Sequence, residues 1–288
     1  MTDTGHPEFS ALIFCDLDET LIEHGEPLSA ENAAAAAELA RRGIGVAAAS
    51  GRSLPMLRQV VPPEVPLCAA IVSTGVGIVS WPAGEILRRC ELEAVRAAEA
   101  VRLLTAAGAD FLAFSRLPES RILWSHTVSA PDGPRRDFHH RLARHYGGEA
   151  PREFPDDWDG GEGIGQLLAV YGAEEEAEAT AVAEELRRRG FAITRATSPV
   201  DGRSIWIEVF SVGAGKAEAA AWVAEHFAPG ARRYALGNDY NDLDLLAWAD
   251  SAALSSLALP ELRDGRYPVL DVPPSKILAA AARRWGLC

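Results

Sequence analysis

The chain has 288 residues, 48% of them hydrophobic, and a formal net charge of −13. That length suits one large domain or two ordinary ones, and that apolar content excludes a disordered chain. The acidic balance argues against nucleic acid and against docking on an anionic membrane, since both attract basic surfaces. Cys15, Cys68, Cys90 and Cys288 are scattered without CxxC spacing. They form neither a zinc site nor a disulfide framework and fit a reducing compartment. The first six residues lack a basic region followed by an apolar stretch, so no secretory signal is expected. No run approaches the ~18 apolar residues of a membrane span. A cytoplasmic protein is expected, and its oligomeric state stays open.

The apolar run Ala11-Leu12-Ile13-Phe14-Cys15 predicts a buried parallel strand, apolar on both faces. Open parallel sheets bind ligands at the carboxyl ends of their strands, and Asp16-Leu17-Asp18-Glu19-Thr20-Leu21 falls there. Strand periodicity places Asp16 and Asp18 on one side of that crevice. Two carboxylates so close repel unless a cation or a shared proton offsets them. Such a pair suits Mg²⁺, a hard cation with oxygen ligands, and one member can attack phosphorus to give an aspartyl-phosphate. The alternative, on these residues alone, is a solvated turn with two exposed acids. Ser29 then caps a predicted helix over 30–42, closed by Arg41-Arg42-Gly43. A second buried strand over 44–49 ends at Ser50-Gly51-Arg52, a helix covers 54–60, and a third strand over 69–73 ends at Thr74-Gly75. This alternation predicts an α/β fold with a parallel sheet.

The texture changes after about residue 88. A helix over 91–107 leads into two strands over 111–117 and 121–127, expected to pair antiparallel. A polar stretch with Phe138-His139-His140 and a Pro/Gly/Asp-rich loop precede a strand over 166–171. The helix over 174–189 carries acids at its start, Arg187-Arg188-Arg189 at its end and Gly190 beyond, in agreement with the macrodipole. Strands over 191–197 and 204–210 follow. Loss of regular alternation indicates an inserted α+β domain, placed at 88–204, within a core of 1–87 and 205–288. From Lys216 the alternation returns: helix 217–226, strand 233–236, helix 244–248 and a short strand over 252–254. Glu174-Glu175-Glu176 and the arginine run read as solvated helix ends. Trp124, His126 and Trp206 read as packing, and His139-His140 as polar surface without a third ligand at metal spacing.

Four strand ends thus present polar residues in order. Asp16-Leu17-Asp18-Glu19-Thr20 is a DxDxT motif, Ser50-Gly51-Arg52-Ser53 a serine after a buried strand, Gly215-Lys216-Ala217 a lysine opening a helix, and Gly237-Asn238-Asp239-Tyr240-Asn241-Asp242 a variant of GDxxND. Together they resemble the haloacid dehalogenase superfamily of phosphohydrolases, and the gap between the second and third motifs resembles the type IIB cap of Cof-type and sucrose-phosphatase-like members. The resemblance implies a Rossmann-like parallel-sheet core with an inserted α+β cap. It also implies a Mg²⁺-dependent phosphatase acting on a small phosphorylated metabolite, foremost a sugar phosphate. Asp16 is implied as nucleophile, Asp18 as general acid and base, and Ser50 and Lys216 as ligands of the transferring phosphoryl group, with Thr20 completing the catalytic motif. A cation at a helix start opposes the macrodipole, so Lys216 is expected beside an anion rather than as a snorkelling surface residue.

The chain departs from the family at Asn238, where an aspartate usually ligates the metal. An amide oxygen can still coordinate Mg²⁺ but brings no charge. The expected metal set is Asp16, Asp18, Asn238 and Asp242, with Asp239 as the competitor of Asn238. Gly51, Arg52, Thr74, Gly75 and Asn241 are expected near the substrate, and Arg195, Asp201, Arg203 and Glu208 are weaker candidates of the insertion and its return strand. Two alternatives stay open: a phosphomutase of the same fold, and a non-catalytic ligand-binding relative.

Overall fold

The structure is a computed structural model that describes residues 9–23, 25–135, 137–139, 151–155, 157–198 and 201–288. His140 and the first eight residues lie outside them. The chain divides into two compact units, residues 1–89 with 215–288, and residues 90–214.

The first unit is built on a seven-stranded sheet. Its strands are β1 (Ala11–Cys15), β2 (Ile44–Ala49), β3 (Leu67–Val72), β4 (Gly77–Val79), β5 (Ile86–Arg89), β12 (Arg232–Gly237) and β13 (Ser251–Leu254). They lie in the order β13-β12-β1-β2-β3-β4-β5. The strands from β13 to β3 run parallel, and β4 and β5 add antiparallel. β1 and β2 are buried at every residue, which is why they read as unbroken apolar runs. Strand order reverses at β1, with β2 and β3 on one side and β12 and β13 on the other. A crevice opens at the carboxyl ends where order reverses. The register pairs Cys15 with Leu236 and with Ala48, so Asp16, Ser50 and Asn238 all follow strands that end at that edge.

Helices α1 (Ala30–Arg41) and α2 (Leu54–Val60) link β1 to β2 and β2 to β3, and α1 starts at Ser29, whose Oγ accepts from the Asn32 N–H at 3.1 Å. Buried Asn32 donates to the Leu21 and Pro274 carbonyls and accepts from the Leu278 N–H. One amide thereby ties α1 to the loop after β1 and to the terminal helix over Ile277–Arg284. That terminal helix and the β4–β5 hairpin are absent from the sequence-based expectations: β4 is three residues long, too short for periodicity to register.

The second unit holds a six-stranded sheet of β6 (Asp110–Phe114), β7 (Ile122–His126), β8 (Arg152–Glu153), β9 (Gln166–Tyr171), β10 (Ala192–Thr197) and β11 (Ile205–Phe210), in the order β10-β11-β9-β6-β7-β8. All pairs are antiparallel except β7 with β8. Helices α3 (Ala94–Ala106) and α4 (Glu176–Arg188) bury Ala97, Leu104, Ala183 and Leu186 in one core with Phe111, Leu167 and Ile207. Each fully buried leucine there contributes about 1.5–3 kcal/mol. The expected boundary at 204/205 requires correction. β11 pairs with β9 and β10, so its residues belong to this unit, which closes at Ala214. Hydrophobicity marks β11 as buried but carries no record of which sheet buries it.

Trp124 stacks on Phe154 at 5.7 Å, and His126 lies against Phe111 at 5.0 Å, so both pack as expected. Trp206 also donates from Nε1 to Asp137 Oδ2 at 3.0 Å. His139 departs from the surface expectation: it is half-buried, with Nε2 3.1 Å from Ser129 Oγ.

Candidate active site

Lys216 opens helix α5 (Lys216–Phe227), and its side chain is fully buried. A lone ammonium cannot stay buried without compensating anions. Two carboxylates supply them: Nζ donates to Asp16 Oδ1 at 2.7 Å and to Asp242 Oδ1 at 2.6 Å. Asn241 Oδ1 stands 3.5 Å from the same nitrogen. Burial works against the ammonium, but Asp16 and Asp242 outweigh it and hold its pKa above the ordinary value. One ammonium between two carboxylates leaves the second under-compensated. Burial, helped by Asp242 and Asp18 and opposed by Lys216, pushes Asp16 up to about 8. A further cation beside Asp16 favours its ionised form.

Backbone geometry places that lysine. A Cβ on Gly75 would stand 2.2 Å from the Gly215 carbonyl oxygen, so only glycine lets the turn after β3 press against the start of α5. Ser73, Thr74 and Gly75 all have left-handed backbone, with φ of 50°, 53° and 96°. The first two cost about 1–3 kcal/mol each. Cross-bonds hold the turn: Thr74 N–H donates to Ser50 O, Ser73 N–H to Arg52 O, and Arg52 N–H to Ser50 Oγ. Ser50 and Thr74 are buried in this pair of loops, whereas Gly51 is exposed.

Both carboxylate oxygens of Asp242, an expected metal ligand, are engaged by protein donors. Oδ1 holds Lys216, while Oδ2 accepts from the Asn238 and Asp239 N–H groups at 2.9 and 3.2 Å. A Cβ on Gly237 would stand 2.5 Å from Asp242 Cβ, so glycine is needed for the carboxylate to fold back on this loop. Asp239 Oδ1 accepts from the Tyr240 N–H, which turns it toward the cap of its own 3-10 turn.

Asp16 and Asp18 engage different cations. Arg52, expected at the substrate, grips Asp18 through Nε at 2.9 Å and Nη2 at 2.6 Å. The turn that follows β1, with Glu19 at φ 58°, brings the Asp18 carbonyl oxygen rather than its carboxylate toward Asn238. The inward amide atom of Asn238 lies 3.1 Å from that carbonyl, 3.1 Å from Asp16 Oδ2 and 3.0 Å from Thr20 Oγ1. Ser255, which the sequence reading missed, donates from Oγ to the Glu19 carbonyl at 2.5 Å and from N–H to the Gly237 carbonyl at 3.0 Å. It clamps the two acidic loops together, and its only sequence signal is a polar residue just past a short apolar strand.

Among the described residues, no three His, Cys, Asp or Glu side chains form a ready metal cluster. The oxygens that fit Mg²⁺ are of mixed kind: Asp16 Oδ2, the Asp18 carbonyl and the Asn238 amide oxygen. Hard cations accept carboxylate, carbonyl and amide oxygen alike.

A search of curated proteins finds no match. Among solved structures, the chain resembles the haloacid dehalogenase superfamily phosphatase BT1666 of Bacteroides thetaiotaomicron at 17% identity and TM-score 0.74, covering 100% of this chain and 99% of that one. It resembles the subclass IIB sugar phosphatase BT4131 at 14% identity and TM-score 0.71, covering 96% and 100%. A haloacid dehalogenase-like hydrolase from B. subtilis aligns at 18% identity and TM-score 0.70, covering 95% and 98%. At such identities these likenesses concern the fold. The sequence model of one family, however, matches residues 13–256, the stretch that carries all four motif loops, and on that match the chain belongs to the haloacid dehalogenase-like hydrolases.

Proposed function

We propose that this protein is a phosphoric monoester hydrolase that cleaves a small phosphorylated metabolite, foremost a sugar phosphate, through an aspartyl-phosphate on Asp16. The observation that carries the reading is the buried Asp16–Lys216–Asp242 chain at the strand-order reversal. It holds a carboxylate and a fixed ammonium at one point, the pairing phosphoryl transfer requires.

The Asp16 carboxylate attacks phosphorus while the ester P–O bond breaks, and the leaving oxygen takes the proton of the Asp18 carboxyl. Asp18, now ionised, accepts a proton from a water that attacks the phosphoenzyme. The P–O bond to Asp16 breaks, and inorganic phosphate leaves. Lys216 and Ser50 hold the transferring oxygens, and Asp242 keeps Lys216 aimed. Arg52 acts through Asp18 as a positioning residue. Asp16, the Asp18 carbonyl and Asn238 would hold Mg²⁺, which would supply positive charge to offset the repulsion between Asp16 and the substrate dianion. Residues 90–214 are assigned the choice among phosphate esters.

The test is phosphate release from an aryl phosphate with Mg²⁺, followed by a panel of phosphorylated metabolites. Release should stop with chelator. Asp16→Asn, which keeps volume and removes the nucleophile, should lower kcat by at least about 10⁴-fold. Substantial turnover by a folded Asp16→Asn protein would remove Asp16 from the role.

A further inference from the structure

We infer that in the metal-free protein Asn238 turns its amide nitrogen, not its oxygen, toward Asp16 and the Asp18 carbonyl, so that binding Mg²⁺ requires the amide to turn over. The inference rests on the hydrolase reading only in taking Mg²⁺ as the ion.

Asn238 is buried, 7% exposed. Its inward amide atom faces the Asp18 carbonyl and Asp16 Oδ2, both acceptors, while the outward atom faces only donors. With oxygen inward, three acceptor oxygens crowd one another and the outward NH2 meets donors. With nitrogen inward, the NH2 donates to Asp18 O and Asp16 Oδ2 at 3.1 Å each, and Thr20 Oγ1 accepts at 3.0 Å. A hydroxyl can donate or accept, so Thr20 tolerates either state; in the oxygen-inward state it donates to Oδ1 at the same distance. With Asp16 ionised and no ion present, hydrogen-bond chemistry therefore selects nitrogen inward.

The same spacing serves the loaded state. Adjacent oxygens around octahedral Mg²⁺, at 2.0–2.1 Å from the metal, stand about 3.0 Å apart. The inward Asn238 atom stands 3.1 Å from each of the other two oxygens, so as an oxygen it needs a cation between them, and as an NH2 group it donates to both instead. Asparagine alone among the residues of this shape offers a donor in one orientation and a metal-binding oxygen in the other. An aspartate here would leave three acceptors facing one another until metal arrives. Asn238 thus exchanges metal affinity for a metal-free site that is internally satisfied, and Mg²⁺ must displace good hydrogen bonds to bind.

The experiment uses the full chain as wild type, Asn238→Asp and Asn238→Ala. Thermal unfolding is recorded in chelator and across a Mg²⁺ titration, with the Mg²⁺ Kd taken from calorimetry. Asn238→Asp should melt several degrees below wild type in chelator, respond more strongly to Mg²⁺, and bind it at least about tenfold tighter, since ligand charge tunes affinity. Asn238→Ala should also melt lower in chelator, because the bridging donors are gone, and should bind Mg²⁺ more weakly. If Asn238→Asp folds only with Mg²⁺, the inference is supported. It is overturned if Asn238→Ala matches wild type in chelator, because a residue that serves only as a metal ligand leaves metal-free stability untouched. Phosphate release is scored separately. Its absence with this pattern intact removes the hydrolase reading alone, and its presence without the pattern removes the amide inference alone.

Discussion

Arg52 and Asp18 form a two-point ion pair, with a planar guanidinium fitted to a carboxylate. The side chains are 15% and 33% exposed, so the pair is sheltered enough to fix an orientation. For the hydrolase proposed here, an acid that protonates a leaving oxygen must stand at the right place, and Arg52 is what places it. Arg52→Ala is expected to lower kcat for alkyl phosphates about 10²-fold, within the range of general acid catalysis. Aryl phosphates, whose leaving groups need little protonation, should lose far less. Comparing kcat across a leaving-group series checks this. An equal loss along the series would instead mark Arg52 as a substrate ligand.

Helix α4 shows how an element can be legible in outline while its fastening is not. Its acidic start and basic end follow the macrodipole, and Gly190 at φ 78° ends it. The acidic run before it, however, is not uniformly solvated. Glu175 accepts from Arg135 Nε at 2.9 Å and from the Gly172 N–H at 2.8 Å. Arg135 also donates to the Gly108 carbonyl at 2.8 Å and lies 5.0 Å from the Tyr171 ring centroid. Burial works to raise the Glu175 carboxyl, but Arg135 and the Gly172 amide outweigh it and hold its pKa below the ordinary value. A depressed folded pKa gives stability that is present above the unfolded value, near 4.3, and is lost as pH falls through the folded value. Glu175→Gln should therefore destabilise the fold at pH 7, by about 1 kcal/mol for a partly exposed pair, and the difference from wild type should shrink below pH 4. Urea unfolding at pH 7 and pH 3.5 measures both.

At the scale of the whole molecule, the second unit is one contiguous stretch, residues 90–214, whereas the first is assembled from two segments. The second unit has its own sheet and its own buried cluster around Phe111, Leu167 and Ile207. A stretch with its own core can fold alone. Residues 90–214 expressed separately should unfold cooperatively in urea and give dispersed amide resonances. A fragment cut instead at the sequence-based limits, 88–204, lacks β11, which pairs with both β9 and β10, and should lose cooperativity. Equal behaviour of the two fragments would show that β11 is dispensable to that sheet. Among the described residues, no helix is long and apolar enough to cross a membrane.

The sequence by itself determined the α/β class, the buried strands β1 and β2, and the four polar strand ends in order. Apolar runs and helix caps are local signals, and the motif spacing is fixed by the chain itself. Tertiary structure decided what local signals cannot carry. It assigned β11 to the sheet of the second unit, since an apolar run records burial and not its partner strand. It gave Asp242 to Lys216 and the loop amides, and Asp18 to Arg52. A carboxylate is spelled the same whether it meets a metal, an ammonium or an N–H, and only the neighbours folded against it choose among them. Asn238 is the sharpest case: its substitution is visible in the sequence, but which amide atom faces Asp16 is set by two acceptor oxygens that the turn after β1 brings to it.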